Sequence, residues 1–350
     1  MDVSQGDGPV RVAVVGVGAF GRNHLRVYRE LEQAGFPVAL TAVVDPNEAA
    51  RVAAEAQYGV RAFGTTAECL AAGKVDAASV CVPTVHHAEC ARALMAAGVD
   101  LLIEKPLAAS LEDADEIAGL SRRQGRVVQV GHLERFNPAV RAVRELLNRP
   151  MFFEVHRLSV FTPRSLDVDV VLDLMIHDLD IVLKLVGKPV REVRAVGLPV
   201  LSKKVDIANV RLEFENGCVA NFTASRVSTE RVRKMRFFQP HQYLSLDFAR
   251  QDLLMIDVTA VAGMDLAQLA ALAAAAAAAP GAGGHPAPGM SIRKVPVEAG
   301  EPLRLEIEAF LEAVRERTEP VVTVEDGRAA LGLALEINAS IAAHARRTGL

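Results

Sequence analysis

The feature that most constrains this chain is a glycine-rich turn near its start, between a strand-like run and a helix-like run. Residues 12–15 are all apolar, and they lead directly into Gly16-Val17-Gly18-Ala19-Phe20-Gly21. In such a strand–turn–helix unit, the first glycine permits the tight turn, the second lets backbone approach a pyrophosphate, and the third lets helix and strand pack closely. The N–H groups at the helix start add a partial positive charge that suits phosphate. The sequence therefore predicts a dinucleotide site made in part by Gly16, Gly18, Ala19, Phe20 and Gly21.

A carboxylate at the end of the second apolar run narrows the choice of dinucleotide. Asp45 occupies this position, where it can accept hydrogen bonds from the adenosine ribose hydroxyls and would repel a 2′-phosphate. The next residues, Pro46 and Asn47, carry no positive charge, although Arg51 lies one helical turn further on. NAD is therefore favoured over NADP. The alternative for Asp45 is a helix N-cap, since Asp is a preferred capping residue and Glu48 follows three positions later.

The bulk properties of the chain exclude several classes of partner. A net charge of −4 gives no reason to expect nucleic acid or an acidic membrane surface. No apolar run reaches the roughly 18 residues that a membrane-spanning helix needs, and residues 1–9 lack the pattern of a signal peptide. The four cysteines show no C-x-x-C spacing and are expected to be free thiols. We therefore expect a cytoplasmic protein that binds neither nucleic acid nor membrane.

The order of the predicted elements indicates two domains, as expected for a chain of 350 residues. Strand-like and helix-like segments alternate between residues 10 and 131, which predicts a parallel sheet with helices on both faces. Beyond residue 151, strand-like segments follow one another, with a hairpin signal at Asn216-Gly217. This change of pattern predicts a mostly antiparallel sheet, with one helix inserted at residues 170–187.

The predicted fold is therefore α/β, with an N-terminal Rossmann dinucleotide-binding domain in residues 1–131. Residues 132–350 are expected to form an α+β domain on a mostly antiparallel open sheet, which serves substrate binding and oligomerisation. Within this domain, residues 267–289 combine an alanine run with many glycines and prolines. Such a composition offers too little apolar variety to pack, so we expect a low-complexity, mobile insertion.

A lysine lies at the end of the fifth predicted strand, in the triplet Glu104-Lys105-Pro106. Ligands of open α/β sheets bind outside the carboxyl ends of the strands, so Lys105 is placed to meet a substrate. Beside a nicotinamide, its charge can stabilise a developing alkoxide. The alternative is an ordinary surface lysine. Glu104, together with Pro83 and His87 after the fourth strand, is expected at the same cofactor-binding edge.

A second group of polar residues lies on the inserted helix. Asp173, His177, Asp180 and Lys184 are spaced by four, three and four, which places them on one helical stripe. The remainder of this helix is apolar except for Asp178, so the stripe faces either a strip of solvent or a cavity. His177 can take or give a proton near neutral pH, and Asp173 can orient it. A solvated helix face or a structural pair remains open on spacing alone.

Metal binding is a competing use of such side chains. His86 and His87 with Cys81 and Cys90 can be grouped as a ligand set, and so can Asp173 with His177. None of these groups has the spacing of a structural zinc site. No metal is predicted.

Three motifs together resemble the glucose–fructose oxidoreductase/inositol dehydrogenase (Gfo/Idh/MocA) family. They are the N-terminal glycine turn, the Glu104-Lys105-Pro106 triplet and the pair Asp173-x-x-x-His177, followed by a sheet domain. The resemblance implies an NAD-dependent oxidoreductase, acting as a homo-oligomer (dimer or tetramer), whose catalytic group is Lys105, Asp173 and His177. Either Lys105 or His177 would take the proton of the substrate hydroxyl.

Two short stretches, residues 131–138 and 173–180, are similar to one branch of this family, the UDP-N-acetylglucosamine 3-dehydrogenases. That similarity implies oxidation of a sugar 3-hydroxyl to a ketone. Arg135, Asn137 and Arg164 are then candidates for contacts with the sugar or its diphosphate, because guanidinium groups suit phosphate. The alternatives are a dehydrogenase of another sugar or an inositol-type polyol, and a non-catalytic NAD-binding sensor.

Overall fold

The computed structural model describes residues 8–162, 168–277 and 289–349, which group into two compact units. The first unit takes in Met1–Phe136 and Gly300–Leu333, and the second takes in Asn137–Ala299 and Ala334–Leu350. In chain order, the elements up to residue 131 are β1 (Val10–Val15), α1 (Gly21–Gln33), β2 (Val38–Val44), α2 (Glu48–Tyr58), β3 (Arg61–Phe63), α3 (Thr66–Ala72), β4 (Ala77–Val80), α4 (His87–Ala96), β5 (Asp100–Glu104), α5 (Leu111–Gln124) and β6 (Val128–Gly131).

The first unit is built on a six-stranded sheet of order β3-β2-β1-β4-β5-β6. Every pair of neighbouring strands is parallel. The chain runs outward from β1 to β3 and then returns to add β4 on the other side of β1. In open α/β sheets, this reversal of strand order marks the crevice where ligands bind. The predicted parallel sheet is confirmed, and its reversal point lies where the glycine turn leaves β1.

The rest of the chain forms the elements of the second unit and two closing helices. These are α6 (Pro138–Leu146), β7 (Phe152–Val160), a π-helical turn (Val171–Met175), α7 (Ile176–Val186), β8 (Val190–Leu198), β9 (Ile207–Phe214), β10 (Val219–Ser228), β11 (Val232–Gln239), β12 (Gln242–Asp247), β13 (Asp252–Asp257), α8 (Leu266–Ala277), β14 (Ser291–Val295), α9 (Pro302–Glu316) and α10 (Val324–Thr348).

The second sheet has eight strands in the order β14-β13-β12-β11-β7-β10-β9-β8. Its neighbours are antiparallel except for β7 and β10, which are parallel. Asn216 and Gly217 form the turn between β9 and β10, and Gly217 has φ +80°, a conformation that suits glycine. The predicted mostly antiparallel open sheet is confirmed.

Residues 300–333 belong to the first unit, whereas the predicted domain boundary at residue 131 placed them in the second domain. Helix α9 carries an apolar stripe, and its Ile307 and Phe310 are buried in the same core as Val12 and Leu25 of the first unit. The side-chain amide of Gln129 also donates to the carbonyl of Glu306 at 2.9 Å. The physical reason is that an amphipathic helix packs on the apolar surface that best matches its stripe, wherever its neighbours in sequence lie.

The predicted insertion is partly described by the structure. Helix α8 covers residues 266–277, which extends the alanine run into a regular helix. Residues 278–288 lie outside the described residues, so the mobility of this segment stays a prediction. Within the described residues, every helix is too short or too polar to span a lipid bilayer.

Candidate functional site

The glycine turn links β1 to α1 in the predicted strand–turn–helix order. Gly16 has φ +89°, and a side-chain carbon there would lie 2.7 Å from the carbonyl carbon of Cys81. A side-chain carbon at Gly21 would lie 1.9 Å from the carbonyl oxygen of Gly16, whereas one at Gly18 would meet nothing within 4 Å. Gly16 and Gly21 are therefore required for packing of the turn itself. The open space at Gly18 fits the close approach of a pyrophosphate.

The carboxylate of Asp45 is bonded to this turn. Its Oδ2 accepts the backbone N–H of Val17 at 2.8 Å, and its Oδ1 accepts the backbone N–H of Asn47 at 2.8 Å. Asn47, not Asp45, caps α2, so the N-cap alternative for Asp45 is wrong. Each carboxylate oxygen keeps a second lone pair with which it can accept a ribose hydroxyl. Arg51 donates to the carbonyls of Asp45 and Pro46 at 2.8 and 2.9 Å.

Lys105 directly follows β5, and the residue before it is held by a buried polar chain. Glu104 Oε1 lies 3.0 Å from His24 Nε2, and His24 Nδ1 lies 3.0 Å from Ser79 Oγ. Ser79 Oγ also lies 2.8 Å from the phenol oxygen of Tyr28. Burial raises the pKa of Tyr28 despite the opposing hydrogen bond with Ser79, so the phenol stays neutral. These contacts fix the end of β5 immediately before Lys105.

Sequence reasoning missed His24, Ser79 and Tyr28. His24 and Tyr28 are four residues apart on the face of α1 that also buries Leu25 and Leu31. Polar groups on a buried helix face must find partners, because an unpaired buried polar group is costly. That spacing was the available signal.

The loop after β4 contains Pro83, which is exposed, and helix α4 begins at His87, which is 1% exposed. His87 Nε2 lies 3.0 Å from the carbonyl oxygen of Val82. Its Nδ1 lies 3.1 Å from the carbonyl oxygen of Pro106 and 3.2 Å from that of Leu107. Burial is the largest influence on His87 and lowers its pKa, against the smaller raising effect of these carbonyls. The ring therefore joins the loop after β4 to the residues that follow Lys105.

These features meet at one edge of the first unit. Strands β1, β4 and β5 are neighbours in the parallel sheet, so their carboxyl ends lie side by side. The glycine turn, the segment from Pro83 to the start of α4 at His87, and Lys105 follow these three strands in that order. The predicted cofactor residues of the first unit are thus assembled at the carboxyl edge of the sheet.

The predicted helix at residues 170–187 is found in the second unit, and it opens with a π-helical turn before α7. Asp169 lies ahead of this turn, and its Oδ1 accepts the backbone N–H groups of Val171 and Leu172 at 3.1 and 3.0 Å. Its Oδ2 accepts the side-chain amide of Asn338 at 3.0 Å. Single π-helical turns occur often at functional sites. The sequence pattern did not distinguish this turn from an ordinary α-helix.

The polar stripe on this helix changes in exposure along its length. Asp173, in the π-helical turn, and His177, in the first turn of α7, are half-buried. Asp180 is buried, whereas Lys184 is exposed. The stripe is therefore not a uniform solvated face. Asp173 and His177 combine partial burial with partial access, which suits groups that exchange protons with a ligand.

A buried ion pair holds α7 against the second sheet. Arg157 on β7 binds Asp178 through two hydrogen bonds, Nε to Oδ2 and Nη2 to Oδ1, both of 2.8 Å. The guanidinium also lies 5.2 Å from the ring centroid of Phe248. Two parallel bonds of this kind fix direction as well as distance. Sequence reasoning missed Arg157, although it occupies the same buried register of β7 as Phe153 and Val155.

A second buried carboxylate lies beside the segment that leads into the helix. Asp206 accepts the backbone N–H groups of Val200, Leu201 and Ser202 at 2.7–2.8 Å. Burial alone would raise the pKa of Asp206, but these hydrogen bonds outweigh it and lower the pKa to about 2. Asp206 therefore stays ionised beside Arg226, which in turn donates to the carbonyl of Val168.

The candidate substrate residues have structural contacts of their own. Arg135 Nη2 lies 3.4 Å from Asp326 Oδ2, and the Arg135 side chain is only 8% exposed. Asn137 caps α6 and donates to the carbonyl of Phe248 at 3.0 Å. Arg164 lies outside the described residues. The role of these three residues in substrate binding stays a prediction.

In the described ranges, no group of three or more His, Cys, Asp or Glu side chains is arranged to hold a metal ion. For three of the candidate metal ligands after β4, the structure shows other surroundings. His87 contacts backbone carbonyls, and burial is the largest cause that raises the pKa values of Cys81 and Cys90.

Comparison with known proteins assigns the chain to a family. Residues 10–132 match the profile described as an oxidoreductase family with an NAD-binding Rossmann fold, and residues 140–239 match the GFO/IDH/MocA C-terminal domain. The chain is 36% identical to UDP-N-acetylglucosamine 3-dehydrogenase of Acidithiobacillus ferrooxidans over 97% of its own length and 99% of that protein. The chain belongs to the Gfo/Idh/MocA family. It is an NAD-binding oxidoreductase, which confirms the predicted family, fold class and cofactor.

Two further comparisons agree with this family assignment. A solved structure of UDP-N-acetylglucosamine 3-dehydrogenase GnnA from Acidithiobacillus ferrooxidans has a TM-score of 0.83 at 35% identity, with 95% of this chain and 97% of that chain covered. Inositol 2-dehydrogenase 2 of Saccharopolyspora erythraea is 31% identical over 52% of this chain and 55% of its own.

The glycine turn gives a prediction that separates folding from cofactor binding. Gly21→Ala is expected to lower the free energy of unfolding by more than about 2 kcal/mol, because the added carbon would clash with the carbonyl of Gly16. Gly18→Ala should leave the unfolding free energy unchanged within about 0.5 kcal/mol. It should weaken NAD binding at least about tenfold, because the methyl group occupies the space that a pyrophosphate needs.

Denaturant unfolding and calorimetric titration with NAD measure the two effects independently. Normal NAD affinity in Gly18→Ala would mean that the pyrophosphate does not lie at this glycine. Wild-type stability in Gly21→Ala would mean that the turn can relax around the added carbon.

Proposed function

We propose that this chain is a UDP-N-acetylglucosamine 3-dehydrogenase, which oxidises the sugar 3-hydroxyl to a ketone with NAD as the oxidant. The supporting observation is the extent of its similarity to the enzyme of that name from Acidithiobacillus ferrooxidans, at 97% of this chain and 99% of that protein. The similarity to an inositol 2-dehydrogenase covers only 52% of this chain. A match that covers nearly the whole chain, and therefore most of the second unit, favours the sugar-nucleotide substrate over a free polyol.

The reaction removes a hydride from carbon 3 and a proton from the oxygen on that carbon. NAD, when bound, takes the hydride. We propose that Lys105 donates a hydrogen bond to the hydroxyl oxygen and stabilises the negative charge that develops there. His177 then accepts the hydroxyl proton, and Asp173 orients the imidazole or the sugar. In the alternative assignment, Lys105 is the base and His177 the hydrogen-bond donor.

The diphosphate of the substrate needs cationic or N–H donors. Arg164, Arg135 and Asn137 remain our candidates, because a guanidinium can bind phosphate through two parallel hydrogen bonds. Arg135 already pairs with Asp326, and the Asn137 amide already serves as a helix cap.

The substrate assignment makes a direct prediction. Purified protein mixed with NAD should form NADH with UDP-N-acetylglucosamine at least about ten times faster, in kcat/KM, than with UDP-glucose, N-acetylglucosamine or myo-inositol. Lys105→Ala and His177→Ala should each lower turnover at least about 100-fold, because a general base or a charge stabiliser is lost. Their affinity for NAD should change less than about threefold. NADH absorbance and calorimetric titration provide these measurements.

Lys188→Ala is the matched control, because Lys188 is exposed and lies beyond the end of α7. Its turnover should equal that of the wild type. A preference for myo-inositol would contradict the proposed substrate, and near-normal turnover in both Lys105→Ala and His177→Ala would contradict the proposed catalytic group.

The position of Asp45 predicts the choice between the two nicotinamide cofactors. The protein should bind NAD at least about ten times more tightly than NADP, a difference of about 1.4 kcal/mol, because the carboxylate repels the 2′-phosphate. Asp45→Asn removes the charge but keeps an oxygen that can accept the N–H of Val17. It should therefore lower the ratio of NAD affinity to NADP affinity at least about threefold. Glu48→Gln is the control, because Glu48 is an exposed charge nearby, and it should leave this ratio unchanged. Calorimetric titration with each cofactor measures these affinities. Equal affinities of the wild type for NAD and NADP would contradict the proposed role of Asp45 in selecting NAD.

We also propose that the protein is a cytoplasmic homo-oligomer, a dimer or tetramer. Its four cysteines are free thiols, as expected in a reducing compartment.

One apolar row crosses five strands of the second sheet and is partly exposed. Its members are Phe152, Phe238, Tyr243, Ile256 and Ile292. The next row contains the opposite charges Glu154 and Arg236, so a second copy of this sheet can match both its apolar and its charged surface. Light scattering should give a dimer or tetramer mass, lowered by Ile292→Lys; a monomeric wild type would exclude this proposal.

A further inference from the structure

His87 is a buried side chain that the proposed reaction does not use. Within the described part of the chain, both of its ring nitrogens face backbone carbonyl oxygens. Nε2 faces Val82 at 3.0 Å, and Nδ1 faces Pro106 at 3.1 Å and Leu107 at 3.2 Å. The residue is 1% exposed and both ring nitrogens are turned toward the backbone, so the predicted place of His87 at the cofactor-binding edge does not depend on a ring nitrogen directed at the cofactor.

The chemistry of imidazole decides how these contacts are shared. A carbonyl oxygen only accepts hydrogen bonds, so each contact requires an N–H on the ring, and a neutral imidazole has only one. A proton on Nδ1 serves two carbonyls, whereas a proton on Nε2 serves one and leaves the Nδ1 lone pair facing two oxygens. Burial favours the neutral ring, since it lowers the pKa of His87. The arrangement therefore favours the tautomer that donates from Nδ1 to Pro106 and Leu107.

The acceptors of this donor lie directly beside a candidate catalytic residue. Pro106 and Leu107 are the first two residues after Lys105, and Leu107 is itself buried. On the other side of Lys105, Glu104 is held by His24. The backbone is thus fixed immediately before and immediately after Lys105, and the His87 ring provides the second of these contacts.

We propose that His87 is a positioning residue for the dehydrogenase reaction: by donating from Nδ1 to the carbonyls after Lys105, it sets the direction in which the Lys105 side chain leaves the backbone. This inference rests on the proposed function, in which Lys105 binds the reacting hydroxyl. It gives His87 an effect on turnover without any contact with substrate or cofactor.

Two substitutions separate the two sides of the ring. In His87→Asn, the amide nitrogen takes the place of Nδ1 and can still donate to Pro106 and Leu107. In His87→Gln, the longer side chain brings its amide nitrogen near the place of Nε2, where it can donate only to Val82. We expect His87→Asn to keep turnover within about threefold of the wild type and His87→Gln to lose at least about tenfold, because small displacements of a catalytic group are costly.

The other readouts distinguish positioning from simple loss of stability. Affinity for NAD should change less than about threefold in both variants, because the ring nitrogens of His87 face backbone carbonyls. Hydrogen exchange of the peptide that contains residues 105–109, measured without cofactor, should be faster in His87→Gln than in His87→Asn. The melting temperatures of the two variants should be similar, since each keeps one of the two hydrogen-bonding sides. The same two substitutions at His86, an exposed neighbour, are the matched control and should leave turnover and exchange unchanged.

The double variant Lys105→Ala/His87→Gln tests whether His87 acts through Lys105. Its turnover should equal that of Lys105→Ala alone, because there is no lysine left to position. Equal turnover in His87→Asn and His87→Gln, or losses that follow melting temperature, would overturn the inference. So would a further large loss in the double variant. Normal turnover in Lys105→Ala would instead reject the proposed role of Lys105, while the exchange difference between the two His87 variants would still report on the carbonyl contacts.

Discussion

The carboxyl edge of the first sheet depends on how closely the backbone at Gly16 approaches that of Cys81. The amide of Gly16 donates to the carbonyl of Val44 at 2.7 Å, while the amide of Cys81 donates to the carbonyl of Val15 at 2.7 Å. The ends of β2, β1 and β4 are therefore joined at one point, with no room for a side-chain carbon. From this point the chain turns into α1, and Asp45 binds the same turn through Val17. The positions of the other cofactor candidates follow from this close contact.

Each unit also places a buried carboxylate next to a candidate catalytic residue. Glu104 precedes Lys105 and contacts His24, whereas Asp178 follows His177 and binds Arg157. Buried polar pairs of this kind add little net stability, because removing charges from water is costly. They do restrict geometry, since a buried carboxylate must keep its partner in one direction. The polar pairs therefore orient the backbone at the two places where the proposed chemistry needs side chains held in fixed directions.

The sequence predicted the local patterns well and the partners of buried groups poorly. The glycine turn, Lys105 at a strand end and the helix with Asp173 and His177 were predictable, because each depends on spacing along the chain. The capping role of Asn47 instead of Asp45 was not predictable, since both are good capping residues. The pairing of Arg157 with Asp178 and the carbonyl contacts of His87 depend on which distant segments meet. The π-helical turn gives no distinct periodicity over five residues, so the pattern reads as an ordinary helix.

Because residues 300–333 belong to the first unit, they affect the order in which the two units can fold during synthesis. The core around Val12 and Leu25 is completed by Ile307 and Phe310 of α9, almost 300 positions later in the sequence. During synthesis, the amino-terminal part of this unit leaves the ribosome long before the helix that covers it. The intervening residues 137–299 belong to the other unit, whose sheet can form while the first core is still open. The first part to be made is therefore among the last to be completed, and its apolar surface stays uncovered by α9 until that helix has been made.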